Sequence, residues 1–154
     1  MRLPIDQRLG HHLKRVEQEL IAAKHTSLRP FKLNVPQYSV LLALSQEPGL
    51  SGAVLARRCM VTPQTMSSVL ATLEGRSLVE RKPHPVHSHI LEARLTRTGQ
   101  TLLSKADESV VEVELLLTEE FSTEEAEELI GRLQRCSAAL AKASDKGPRK
   151  TPTR

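Results

Sequence analysis

A chain of 154 residues with a formal net charge of +4 and a pI near 9.3 has room for one domain with a real core, and its modest basicity suits a nucleic-acid partner without proving one. Cys59 and Cys136 cannot make a disulfide framework, and no apolar run is long enough to span a bilayer. With no signal-like apolar stretch in "MRLPIDQRLGHH", the reading is a cytoplasmic protein without a membrane partner.

In chain order, Leu9, Leu13, Val16, Leu20 and Ala23 recur at the spacing of an amphipathic helix from Asp6 to about Ser27, and Pro30 breaks it. A second helix is expected from Asn34. Its side chain can accept from a free backbone N–H while Gln37 reaches back, and Pro36 is tolerated in the first turn. That helix carries Tyr38, Leu41, Leu42 and Leu44 and ends at "EPG". Ser51 caps a short third helix through Arg58, and Thr62 followed by Pro63 opens a fourth that runs to about Arg76. Two short helices this close together have the spacing of a helix-turn-helix.

"LVERK" and "ILEARLT" then read as the two strands of a hairpin with "PHPVHSH" at its tip. Thr96 caps a fifth helix with Leu102, Ala106, Val110, Val113 and Leu117 on one face. Ser122 and Glu125 form a capping box for a sixth, with Ala126, Leu129, Ile130, Leu133 and Leu140 turned inward. "SDKGPRKTPTR" has no apolar content and reads as a disordered basic tail. The expected layout is an N-terminal helix over 1–33, a reading region over 34–98, two further helices over 99–143 and the tail over 144–154. Charge follows the same division. Residues 51–100 hold seven basic and three acidic side chains, whereas 107–128 hold ten acidic ones and no basic one. The middle can meet phosphate, and the region after it repels phosphate.

The fourth helix carries the informative surface. Met66, Val69, Leu70 and Leu73 form its apolar stripe, opposite Gln64, Ser68, Ala71, Thr72 and Gly75, with Thr65 and Ser67 alongside. A face meant only for water normally carries Lys and Glu, which are better helix formers than Ser and Thr. A low, uncharged face suits a major groove, where Gln pairs with adenine and Ser and Thr meet several base edges. The plainer alternative is a helix buried on both sides between subunits.

From Leu50 to Gly99 the chain resembles the winged helix-turn-helix of MarR-type transcription regulators. The likeness rests on Leu55-Ala56, Val61-Thr62-Pro63, Leu73-Glu74, the Leu78 to Arg81 strand and the Leu95-Thr96-x-x-Gly99 closure, and "NVPQYSVLLAL" resembles the family's second helix. The resemblance implies a mainly α fold with a small β-wing, dimerised through its N- and C-terminal helices. It also implies an inverted-repeat operator in double-stranded DNA and a repressor released by a small-molecule effector, with no cofactor. On that reading Gln64, Thr65, Ser67, Ser68 and Thr72 face bases or nearby phosphates. Arg76, Arg81 and Lys82 grip the DNA backbone, and His87 and His89 sit at the wing tip. An effector pocket is expected near His12, Val16, Tyr38 and Leu42.

Two departures stand out. Ser77 occupies the place where the family has Gly at the end of the reading helix, so a reshaped helix end is expected. His87 and His89 stand where the family wing has Asp-x-Arg, so a pH-sensitive wing contact is expected, because phosphates favour the charged imidazole. His84, His87 and His89 could instead bind a metal, although no Cys, Asp or Glu lies among them. Cys59 reads as core packing, with a redox switch as its alternative, and the family's peroxide sensors carry their cysteine near the start of the first helix, where this chain has none. An interaction module of the same fold that does not bind DNA is the remaining alternative. No phosphate loop, catalytic triad or paired catalytic carboxylates suggest an enzyme.

Overall fold

A computed structural model describes residues 3–145. The described residues form two compact units, one ending at Val113 and the other beginning at Glu114. Its elements are α1 (Leu9–Leu28), α2 (Val35–Gln46), β1 (Leu50–Ser51), α3 (Gly52–Arg58), α4 (Pro63–Gly75), β2 (Val79–Pro83), β3 (Leu91–Leu95), α5 (Arg97–Thr118) and α6 (Thr123–Asp145). Single 3₁₀ turns precede α1 at Ile5–Gln7 and follow it at Arg29–Phe31. The basic tail beyond Asp145 lies outside the described residues.

Local chemistry sets the helix starts. At α2 the Asn34 carboxamide accepts from the Gln37 N–H at 2.9 Å, and Gln37 accepts from the Asn34 N–H at 3.1 Å. Ser51 accepts from Val54 N–H at the head of α3, and Thr62 accepts from Thr65 N–H at the head of α4. Ser122 and Glu125 exchange the same pair of bonds before α6.

Helix ends follow a second rule. At the close of α3, Met60 N–H bonds to Arg57 O and Val61 N–H to Ala56 O, with Met60 left-handed at φ 52°. At the close of α4, Ser77 N–H bonds to Glu74 O and Leu78 N–H to Leu73 O, with Ser77 left-handed at φ 56°. Both are Schellman ends, normally reserved for glycine at the left-handed position. The expectation that Ser77 would reshape the helix end is therefore corrected. Leu73 and Leu78 are both buried on the core side, and serine takes the strained conformation itself.

The wing has three strands, one more than the hairpin expected. β1 pairs antiparallel with β3 (Leu50 opposite Ala93), and β3 with β2 (Val79 opposite Leu95), giving the order β1-β3-β2. Gly49, at φ 85°, turns the chain into β1 and donates to Ala93 O at 3.0 Å.

The core lies in the first unit. Leu28, Leu41, Leu44, Leu55, Met66, Leu73 and Val79 are buried within it, joined by Leu103, Ala106 and Val110 of α5. The α6 residues Leu129, Ile130, Leu133 and Leu140, expected to face inward, are exposed in this chain. Their helical spacing is real, but among the described residues nothing in the single chain covers them.

Candidate nucleic-acid interface

Buried Met66, Val69, Leu70 and Leu73 seat α4 against α2, α3 and β2. That docking leaves Gln64, Thr65, Ser67, Ser68, Ala71, Thr72 and Gly75 exposed on the other side.

The hydroxyls on this face make local bonds. Ser67 donates to Pro63 O at 3.1 Å, Thr72 to Ser68 O at 3.0 Å, and Thr62 to the Thr65 hydroxyl at 2.9 Å. Such bonds keep the side chains low against the helix, while each oxygen still offers a lone pair outward. The face thus has little relief and no charge of its own.

The wing is fastened to the end of α4 through Thr96. Its N–H donates to Leu78 O at 3.1 Å and its hydroxyl to Ser77 O at 2.6 Å, while the same hydroxyl accepts from Gly99 N–H at 3.0 Å. Gly99 is required by this closeness, since a Cβ there would lie 2.0 Å from Leu78 O. The Leu-Thr-x-x-Gly spacing is thus a clamp that joins β3, the start of α5 and the end of α4.

The basic residues divide. Lys82 is exposed and paired with Glu80 at 3.0 Å. Arg81 reaches across to Glu74 at 2.5 Å and 3.0 Å, holding the Glu74 carboxyl below its usual range mainly through that side-chain hydrogen bond. Arg76 turns inward, donating to Lys32 O at 2.7 Å and Phe31 O at 3.2 Å. The guanidinium thereby ties α4 to the turn after α1.

The histidines also divide. His84 is built into the wing tip, whereas His87 and His89 follow it, with ring centroids 6.1 Å apart. His89 borders a cleft of about 400 Å³ together with Ser67 and Arg81, which brings three of the expected contact residues to one place. Among the described residues, no group of three or more His, Cys, Asp or Glu side chains is arranged to hold a metal ion.

The four effector candidates have separate surroundings. The His12 ring bonds to Asp6 O at 2.9 Å, and Val16 is exposed on α1. Tyr38 is buried and donates its hydroxyl to Asp107 at 2.5 Å, tying α2 to α5. Leu42 borders a different open cleft of about 420 Å³ with Ser39, Gln46, Arg58, Cys59 and Met60. Burial raises the Cys59 thiol above its ordinary range, and the Arg58 guanidinium pulls it partly back. A raised thiol is a poor nucleophile, which fits packing better than redox sensing.

Sequence reasoning missed β1, the inward turn of Arg76, the Tyr38–Asp107 bond and the Arg58–Glu47 ion pair. None has a local signal. A two-residue strand shows no alternation, and each bond joins residues 11 to 69 positions apart.

A reading helix with an exposed uncharged face, clamped beside a three-stranded wing, defines a winged helix-turn-helix. The family model for the MarR family matches residues 31–88. The HTH-type transcriptional repressor Rv2887 of Mycobacterium tuberculosis is 40% identical over 107 residues, which is 70% of this chain and 77% of that protein. The structure of the transcriptional repressor CouR bound to a 23-mer DNA duplex is similar at a TM-score of 0.79, with 26% identity over 89% of this chain and 99% of that one. Structures of Rv2887 with DNA and with salicylic acid are each similar at a TM-score of 0.67, with 32% and 33% identity over 84% of this chain and 97% and 96% of those chains. The chain belongs to the MarR family of transcriptional regulators.

Proposed function

We propose that the protein is a repressor that binds an inverted-repeat operator in double-stranded DNA as a homodimer and leaves it when a small aromatic acid binds. One observation carries this reading: the uncharged face of α4 stands exposed over a fully buried stripe, beside a clamped wing. Gln64, Thr65, Ser67, Ser68 and Thr72 meet base edges and adjacent phosphates, and Arg81 and Lys82 meet the backbone. His87 and His89 reach the flanking groove from the wing. Two copies would read half-sites about 34 Å apart, one turn of the duplex.

The homodimer reading is supported by apolar residues left open on the terminal helices: Leu9 and Val16 on α1, Leu115 and Leu116 on α5, and the α6 row. The expected layout of an N-terminal helix over 1–33, a reading region over 34–98 and further helices over 99–143 follows from it. The effector class is carried over from the salicylic acid complex of Rv2887, with His12, Val16, Tyr38 and Leu42 as the region to probe. We read the protein as a regulator and not an enzyme, acting in the cytoplasm. No helix among the described residues is long and apolar enough to cross a membrane.

Selection of bound genomic fragments tests the reading directly, followed by gel shifts with and without salicylate. An inverted repeat retained at physiological salt, and released by the acid, is the expected result. Retention of no fragment, or equal affinity for every sequence, would overturn it.

A further inference from the structure

The wing tip reads "PHPVHSHI", and only one side chain in it organises the others. His84 Nδ1 accepts from the backbone N–H of Val86 at 3.1 Å and from that of His87 at 3.1 Å. Pro85 between them has no N–H to offer, so the first two donors available after His84 are both taken. This is the bond pattern of an Asx turn, made here by an imidazole nitrogen placed as many bonds from Cβ as an Asn oxygen. The His84 N–H donates to Ile90 O at 2.7 Å and the Ile90 N–H to His87 O at 2.8 Å, which closes the tip. The His87 ring stacks on the His84 ring with centroids 5.3 Å apart.

We propose that His84 is the positioning residue of the wing, holding His87 and His89 in place through a neutral ring whose only proton is on Nε2. An imidazole nitrogen that accepts two N–H bonds carries no proton, so the tautomer follows from the geometry. The Nε2 proton faces Glu92 Oε1 at 3.5 Å, and the other Glu92 oxygen is held by Arg94 at 3.0 Å. Glu92 is also opposite Lys82 across the β2–β3 ladder, where Lys82 is paired with Glu80. The ring itself meets Glu92 and the His87 ring; Arg94 bonds to Glu92, the Lys82–Glu80 pair lies across the ladder, and His89 is next to His87. Protonating Nδ1 turns the acceptor into a donor that faces two donors. Glu92 cannot restore those two bonds, so protonation of Nδ1 loosens the tip. The effect on operator binding is opposite in sign to protonation of His87 or His89, which adds cations facing phosphate.

The inference rests on the wing contacting DNA, but its first test does not. Nitrogen chemical shifts of the His84 ring report the tautomer, and hydrogen-exchange protection factors of the Val86 and His87 amides report the turn. At pH 8 the wild type is expected to show the Nε2–H form with both amides protected, and at pH 5.5 that protection falls. His84→Ala loses it at both values, roughly tenfold for about 1.4 kcal/mol of bonding. His84→Asn keeps it at both values, because the amide oxygen accepts and does not titrate. An Nδ1–H ring at pH 8, or protection that His84→Ala leaves unchanged, would overturn the proposal. Operator affinity forms the second arm. His84→Ala weakens it about tenfold and His84→Asn restores it, measured on the fragment that the wild type selects. A wild type that binds no DNA while its tip amides behave as described sinks the proposed function and leaves the turn standing. Tight binding by His84→Ala with both amides unprotected removes the positioning role alone.

Discussion

Helices α4 and α6 carry apolar residues at the same helical spacing and meet opposite fates. On α4, Met66 and Leu73 are 1% and 0% exposed, under α2, α3 and the wing. On α6, Ile130 and Leu140 are 55% and 66% exposed. A periodic apolar stripe marks the face that favours being covered, but the cover comes from elsewhere. For α4 the cover is the rest of the same chain, and for α6 we infer a second copy. The outward faces differ in the same way. The outer side of α4 has no charge, while α6 opens with Glu124 and Glu125 and suits water.

The comparison is easiest to break at α6. Ile130→Arg combined with Leu133→Arg should give a monomer by analytical ultracentrifugation with its helical circular dichroism kept. Operator affinity should fall about a hundredfold or more, as two linked contacts become one. A dimer that survives the double change would place the interface elsewhere.

Leu73→Ala on α4 should cost about 3 kcal/mol in denaturant unfolding, the range for a buried leucine whose site cannot collapse. On the proposed homodimer, Leu140→Ala should show its loss chiefly as a stability that varies with protein concentration, since a second copy would supply its cover. Equal concentration dependence in the two variants would erase the distinction drawn between the helices.

Ser68→Glu should leave the melting temperature within a degree or two of wild type, because the site is exposed, and weaken operator binding by about 2 kcal/mol through an anion in the groove. Unchanged affinity in anisotropy titrations would show that another surface reads the DNA.

Ser77→Gly sharpens the account of how α4 ends. It should raise stability by about 1 kcal/mol, the cost of holding a side chain in the left-handed region. The smallest effect is at Glu74. Its carboxyl is held low in the fold, so the tie to Arg81 adds stability above the ordinary carboxylate range and loses it as pH falls through the lowered value. Glu74→Gln should flatten that acid limb in unfolding curves taken below neutral pH.

Much of the fold was readable residue by residue. Asn34 with Gln37, Thr62 with Pro63, and Ser122 with Glu125 announce helix starts because the cap and the N–H it satisfies lie three residues apart. The face of α4 could be drawn for the same reason, since helical geometry alone decides which residues share a side. Arg76 could not be read this way. Its partners, Phe31 and Lys32, lie more than 40 residues earlier, and an arginine beside a reading helix looks the same whether it faces phosphate or a carbonyl. His84 shows the same limit, because three histidines in one loop are alike in sequence and only the folded turn separates the acceptor from the two it positions.

By itself, then, the sequence determined the helices, their caps and the exposed uncharged face of α4, since each depends on neighbours within a turn or two. Tertiary structure alone decided which basic side chains are engaged within the protein, that β1 joins the wing, and which apolar stripe the chain covers itself. Those outcomes depend on distances between residues that the chain brings together only when the whole unit has folded.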